Sequence, residues 1–82
     1  MVSQMRRCAI SVAANIVEGC ARNSEREYSH FLNCSFGSLR ELGYYIDLAR
    51  ELGYLDTAKA AQLRFGQEKT ASALTGLIRS LR

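Results

Sequence analysis

From Met5 to Leu42 the chain reads MRRCAISVAANIVEGCARNSEREYSHFLNCSFGSLREL, two long runs of helical apolar spacing broken once, at a short punctuated turn. Proline is absent and glycine sparse, so only a few local stops can end a helix. A first helix is expected over residues 2–20, closing near Gly19 to Arg22. Ser24 followed by Glu27 is a capping box, in which the hydroxyl accepts an orphan backbone N–H and the carboxylate reaches back; it starts a second helix at Glu25. Gly53 suits a left-handed residue closing that helix at 52, and Asp56 or Thr57 caps a third over 57–81. No segment remains for a sheet. The expected fold class is all-α, an antiparallel up-down-up helical bundle forming one domain over residues 1–82.

Apolar residues recur with 3-4 alternation in each helix, the pattern of near-parallel bundle packing. The seams are Val2, Met5, Ala9, Val12, Ile16 and Gly19; then Tyr28, Phe31, Ser35, Ser38, Leu42, Tyr45, Ala49 and Leu52; then Ala60, Leu63, Gln67, Thr70, Leu74, Leu77 and Leu81. A second apolar set flanks two of them: Ile10, Ala13 and Val17 on the first helix, Leu32, Leu39 and Ile46 on the second. Neighbours in an isolated hairpin cannot cover an arc this wide, so another helix or another subunit is expected there. Size points the same way. A chain of 82 residues buries only roughly 60 to 65% of its unfolded surface, and association is the ready remedy.

Composition excludes several classes. With 48% hydrophobic and 23% charged residues the chain is globular, and no apolar run approaches the roughly 18 residues of a membrane span. The start, MVSQMRRCAIS, lacks the pattern of a signal peptide, giving a cytoplasmic location as the default expectation. Cys8, Cys20 and Cys34 are odd in number and far apart, suiting reduced thiols that act as small core hydrophobes.

Asn15-Ile16-Val17-Glu18-Gly19, Arg22 and Ser24, then Gly37-Ser38-Leu39 with Glu41-Leu42, resemble the signature of a bacterial family. These are the small four-helix bundle proteins first noted as open reading frames in intervening sequences of 23S ribosomal RNA, related to the accessory variability determinant of diversity-generating retroelements. The resemblance runs from Gln4 to about Leu55; beyond that only the pattern matches. It implies a four-helix bundle of which three helices are present here, because relatives begin with a further helix before the segment matching Met5 onward. The expectation is that this helix is missing from the sequence as read. It also implies a homo-oligomer, in several relatives a ring-like homopentamer, and as one specific partner a reverse transcriptase. Relatives commonly carry a proline within the segment matching Val12-Ala13-Ala14-Asn15, where this chain has alanine.

The signature's polar residues also have a local reading. Gln4, Arg7, Ser11, Asn15, Glu18 and Arg22 share one helical stripe, with Glu18 placed four before Arg22 for an ion pair. Structural support near a helix end is the favoured role, and a subunit-contact or binding cluster the alternative. Enzymatic readings are weak. Glu27-Tyr28-Ser29-His30 has the Glu-x-x-His spacing of di-iron bundles but stands alone, and Glu27 is spent on the cap. His30 with Cys34 lacks an orienting acid for nucleophilic catalysis. No glycine-rich phosphate loop occurs. The expectation is no catalytic site, no metal, no cofactor, no membrane and no small-molecule substrate.

A nucleic-acid reading rests on charge and topology. Eleven basic against eight acidic residues give +3, and nine of the basic residues are arginine, the better phosphate fork. An up-down-up arrangement gathers Arg22, Arg26, Arg79 and Arg82 at one end, diluted by Glu18, Glu25 and Glu27; repetition around an oligomer would multiply the phosphate contacts. Phe36 and Phe65 fall on outer faces by spacing and, with Ile10 and Val17, are candidate oligomer contacts. Arg40 and Tyr44, four apart, offer a stacking platform. The expected function is a non-enzymatic oligomeric scaffold or adaptor holding RNA or a nucleic-acid enzyme; the alternative is a purely structural protein-binding bundle.

Overall fold

The computed structural model describes residues 2–80, which form α1 (Val2–Cys20), α2 (Glu25–Glu51) and α3 (Thr57–Ser80), with no strand among the described residues. Leu81 and Arg82, named above in a seam and a basic cluster, lie outside them. Local chemistry sets the boundaries. Ser24 is extended (φ −125°, ψ 147°) and its hydroxyl accepts the Glu27 N–H at 3.1 Å. The return bond from the Glu27 carboxylate is not formed among the described residues, so only the hydroxyl half of the box operates. At the other end Gly53 has φ +82°, a conformation open to glycine. Its N–H donates to the Arg50 carbonyl at 3.1 Å and the Tyr54 N–H to that of Ala49 at 2.8 Å, the paired bonds that close a helix through a left-handed residue. Asp56 is the cap of α3, its Oδ1 accepting the Lys59 N–H at 2.7 Å.

Both outer helices pack on α2 and neither touches the other. Small residues bring α1 close: at Gly19 a Cβ would stand 2.7 Å from the Tyr28 ring and 3.1 Å from Phe31 Cβ. Ser35, fully buried, donates its hydroxyl to the Val12 carbonyl at 2.8 Å. On the far side, buried Gln67 donates its amide to the Leu39 carbonyl at 3.1 Å. Gly43 makes room there for Arg64, which bonds Gln67 and reaches Asp47 at 3.4 Å. Val12, Leu32, Leu39, Leu74 and Ile78 form the apolar core between these polar clasps. The result is 44 Å long, 22 Å wide and 12 Å deep, a shallow open V with α2 at its base. Its radius of gyration, 13.8 Å, exceeds the roughly 11.7 Å expected of a compact chain this long.

This arrangement corrects part of the sequence reading. Leu32, Leu39 and Ile46 need no outside partner; they are the most buried line of α2, lying between its two neighbours. Phe36 is half-buried against the core rather than outward, because the line of Asn33, Gly43 and Asp47 on which it was placed is where α3 docks. The α3 seam divides: Ala60, Gln67 and Leu74 face α2 with Ile78, while Leu63 and Leu77 stay exposed. Of the three free cysteines only Cys8 is buried; Cys20 and Cys34 are exposed. Ile10, Ala13 and Val17 remain uncovered, as expected of a face awaiting company.

The close α1–α2 approach generates a paired prediction. Gly19→Ala should lower the unfolding free energy by about 1–3 kcal/mol through overpacking against Tyr28. Gly76→Ala, where a Cβ meets nothing within 4 Å, should raise it by about 0.5–1 kcal/mol. Urea unfolding followed by circular dichroism measures both.

Candidate functional site

Because α1 and α3 stand apart, the open side of the V is a trough. Its floor is Leu39, Leu42 and Ile46 of α2, its walls Met5 and Ala9 of α1 and Leu63, Gly66 and Thr70 of α3, around a volume of about 590 Å³. Leu77, two heptads after Leu63, extends the α3 wall along the same face. Area bookkeeping agrees with an incomplete surface. A compact protein of 9.1 kDa exposes about 4,900 Å²; this chain exposes 5624 Å². The surplus, on the order of 700 Å², is close to what one partner contributes to a standard protein interface.

A second apolar surface has the opposite shape. Ile10 and Val17 are 61% and 68% exposed and, with exposed Ala13 between them, make a convex ridge on the side of α1 turned from α2. Phe65, on the outer side of α3, is 65% exposed beneath the Lys69 ammonium, 5.5 Å from the ring centroid. Two of the four residues expected at an oligomer contact thus form one ridge, the third stands alone, and Phe36 is covered.

The signature residues meet on the back of the α1–α2 hairpin. Asn15 donates to the Ser11 carbonyl at 2.8 Å and to its hydroxyl at 3.2 Å; Ser11 in turn bonds Ser38 across the helices at 2.8 Å. One turn toward the start of α1, the Cys8 thiol donates to the Glu41 carboxylate at 3.2 Å. Gln4, Arg7, Cys8, Ser11, Ser38, Glu41 and Tyr45 line a polar recess of about 270 Å³ there. Burial and then the Glu41 hydrogen bond and charge push the Cys8 thiol above its ordinary value of 9.0. Gly19 is the close-contact residue and Ser24 the cap described above. Gly37 is exposed with nothing within 4 Å of an added Cβ, so nothing in the single chain explains a glycine there.

At the end expected to be basic, Arg22 is already engaged. It pairs with Glu18 at 2.9 Å and lies over the Phe31 ring, 4.8 Å from its centroid. An exposed pair of this kind adds a few tenths of a kcal/mol. Arg26 lines a shallow hollow with Ser24, Glu27, His30 and Phe31, and Arg79 another with Asn33, Phe36, Thr75 and Ile78. Neither has a carboxylate partner among the described residues. Sequence reasoning missed the Arg64–Gln67 clasp; the signal was a glycine, Gly43, one turn before Asp47 on a face without other small residues.

No group of three or more His, Cys, Asp or Glu among the described residues is placed to hold a metal ion. No described helix is long and apolar enough to cross a membrane. A family model described as 23S rRNA-intervening sequence protein matches residues 1–76, running through α1 and α2 and most of α3. The chain belongs to that family. The match extends well past Leu55, where the motif resemblance faded, so α3 is part of the family's pattern as well. No curated protein matches the chain.

The contrast among the thiols of this family member gives a direct prediction. In the native protein at pH 8, Cys20 and Cys34 should react rapidly with a thiol reagent and Cys8 only after denaturant is added. Because the folded Cys8 value is raised, its stabilising contribution is complete below the ordinary thiol value of 9.0 and is lost as pH rises through the folded value. Stability measured upward from pH 8 should therefore fall, and Cys8→Ala should flatten that fall.

Proposed function

We propose that this member of the 23S rRNA-intervening sequence family is a non-enzymatic, oligomeric scaffold that assembles head to tail, the α1 ridge of one copy lying in the trough of the next. The observation that carries this reading is the presence, on one chain, of a concave and a convex apolar surface, both unpartnered. Two troughs cannot fill each other, since both are hollow along their length. A rod can fill a trough, and the outer side of α1 is an apolar rod. Contacts of this heterologous kind close into rings when the rotation permits; a homopentamer is the ring that the family resemblance favours.

The test uses complementary variants. Leu63→Glu with Leu77→Glu alters the trough; Ile10→Glu with Val17→Glu alters the ridge. All four side chains are solvent-exposed in the single chain, so helix content should be unchanged. Each double variant alone should be monomeric by light scattering or stop at small species, and an equimolar mixture should give a complex of two chains through the one intact pair of surfaces. A wild-type chain that stays monomeric at tens of micromolar, or a mixture that never pairs, sinks the assembly.

RNA, or a nucleic-acid enzyme such as a reverse transcriptase, is the partner class that this scaffold would hold. Supporting it are Arg26 and Arg79, exposed at one end and unpaired with carboxylates among the described residues. One chain offers too few such groups for tight binding, and a ring repeats them with each copy. A structured RNA should be retained at low salt with log affinity falling linearly against log salt, and Arg26→Ala with Arg79→Ala in every copy should flatten that slope. No retention at low ionic strength would leave the scaffold reading with protein partners alone.

A further inference from the structure

His30 and Cys34 are one helical turn apart on α2, both exposed, and His30 Nε2 lies 3.8 Å from Cys34 Sγ. That separation has a chemical meaning beyond a weak hydrogen bond. In a tetrahedral site, Zn–S of about 2.3 Å and Zn–N of about 2.0 Å set neighbouring sulfur and nitrogen ligands about 3.6 Å apart. The pair already stands at that spacing, held by the i, i+4 geometry of a helix and needing only a small side-chain adjustment. A thiolate and an imidazole together select borderline-soft ions, zinc foremost, over magnesium or calcium.

We propose that His30 and Cys34 form a two-ligand, open site for Zn²⁺ on the outer face of α2. It is distinct from the Glu27-x-x-His30 spacing of di-iron bundles, since the partner is the thiol four residues after His30 and not the carboxylate three before it. With no third such donor grouped with them in the chain, water fills the remaining positions. Binding displaces the Cys34 thiol proton to solvent and uses the Nε2 lone pair of the Nδ1–H tautomer, so affinity rises with pH across the neutral range. The other thiols do not compete. Cys20 faces the Tyr28 hydroxyl at 3.9 Å, with no imidazole beside it. Cys8 is buried against Glu41 and closed to a solvated ion.

Cobalt is the probe. Reduced full-length protein titrated with Co²⁺ should develop a thiolate-to-metal charge-transfer band that saturates at one ion per chain and is erased by added Zn²⁺. Cys34→Ser and His30→Ala should each remove the band or weaken affinity at least tenfold, and Cys20→Ser should leave it unchanged; circular dichroism will show all three folded. A band that survives Cys34→Ser, a titration insensitive to His30→Ala, or no band at millimolar Co²⁺ overturns the site.

Discussion

The structure depends on α2 having to serve two neighbours that do not serve each other. A helix shared in this way must divide its apolar circumference into two docking stripes and a strip between them. Tyr28, Phe31, Ser35 and Ser38 meet α1; Phe36, Gly43 and Asp47 meet α3; Leu32, Leu39 and Ile46 lie in between. Each docking is fixed by a buried side chain donating to a backbone carbonyl, Ser35 to Val12 and Gln67 to Leu39. Such bonds add little net energy but are costly to leave unmade, and no buried side-chain nitrogen or oxygen goes without a partner among the described residues. Apolar contact supplies the adhesion and these donors specify the register.

Helix boundaries were legible because they are decided by local chemistry: Ser24 with its hydroxyl, Gly53 with its left-handed backbone, Asp56 with its carboxylate. Orientation was less so. An alternating apolar seam says that a face is buried without saying by which neighbour, and a middle helix has two. Hence the Phe36 stripe was read as outward, and the line through Leu39 as needing an outside partner. Cysteine shows the same limit, since hydropathy does not separate Cys8, which finds Glu41, from Cys34, which finds water and His30. The polar signature was readable as a stripe, but its cross-helix bonds depend on register, which one helix alone does not encode.

Membership of the 23S rRNA-intervening sequence family names a fold and a genomic association, and what the geometry adds is a division of surfaces. One side of the hairpin is stitched by hydroxyls, a carboxamide and a thiol into a seam internal to the chain. The opposite side is greasy, hollow and unoccupied. Activity in such a molecule resides in which surfaces are left over after folding, and the candidates for contact are those that the chain's own packing does not consume.

The absence of contact between α1 and α3 has a kinetic corollary. Every tertiary contact here joins helices adjacent in sequence, the short-range wiring that accompanies fast folding. The amino-terminal hairpin has its own clasp in Gly19 and Ser35 and does not wait for the last helix. It can consolidate while the carboxy-terminal third is still being synthesised, and α3 can detach and return as an autonomous flap, an opening unit with a lower threshold than the hairpin it covers.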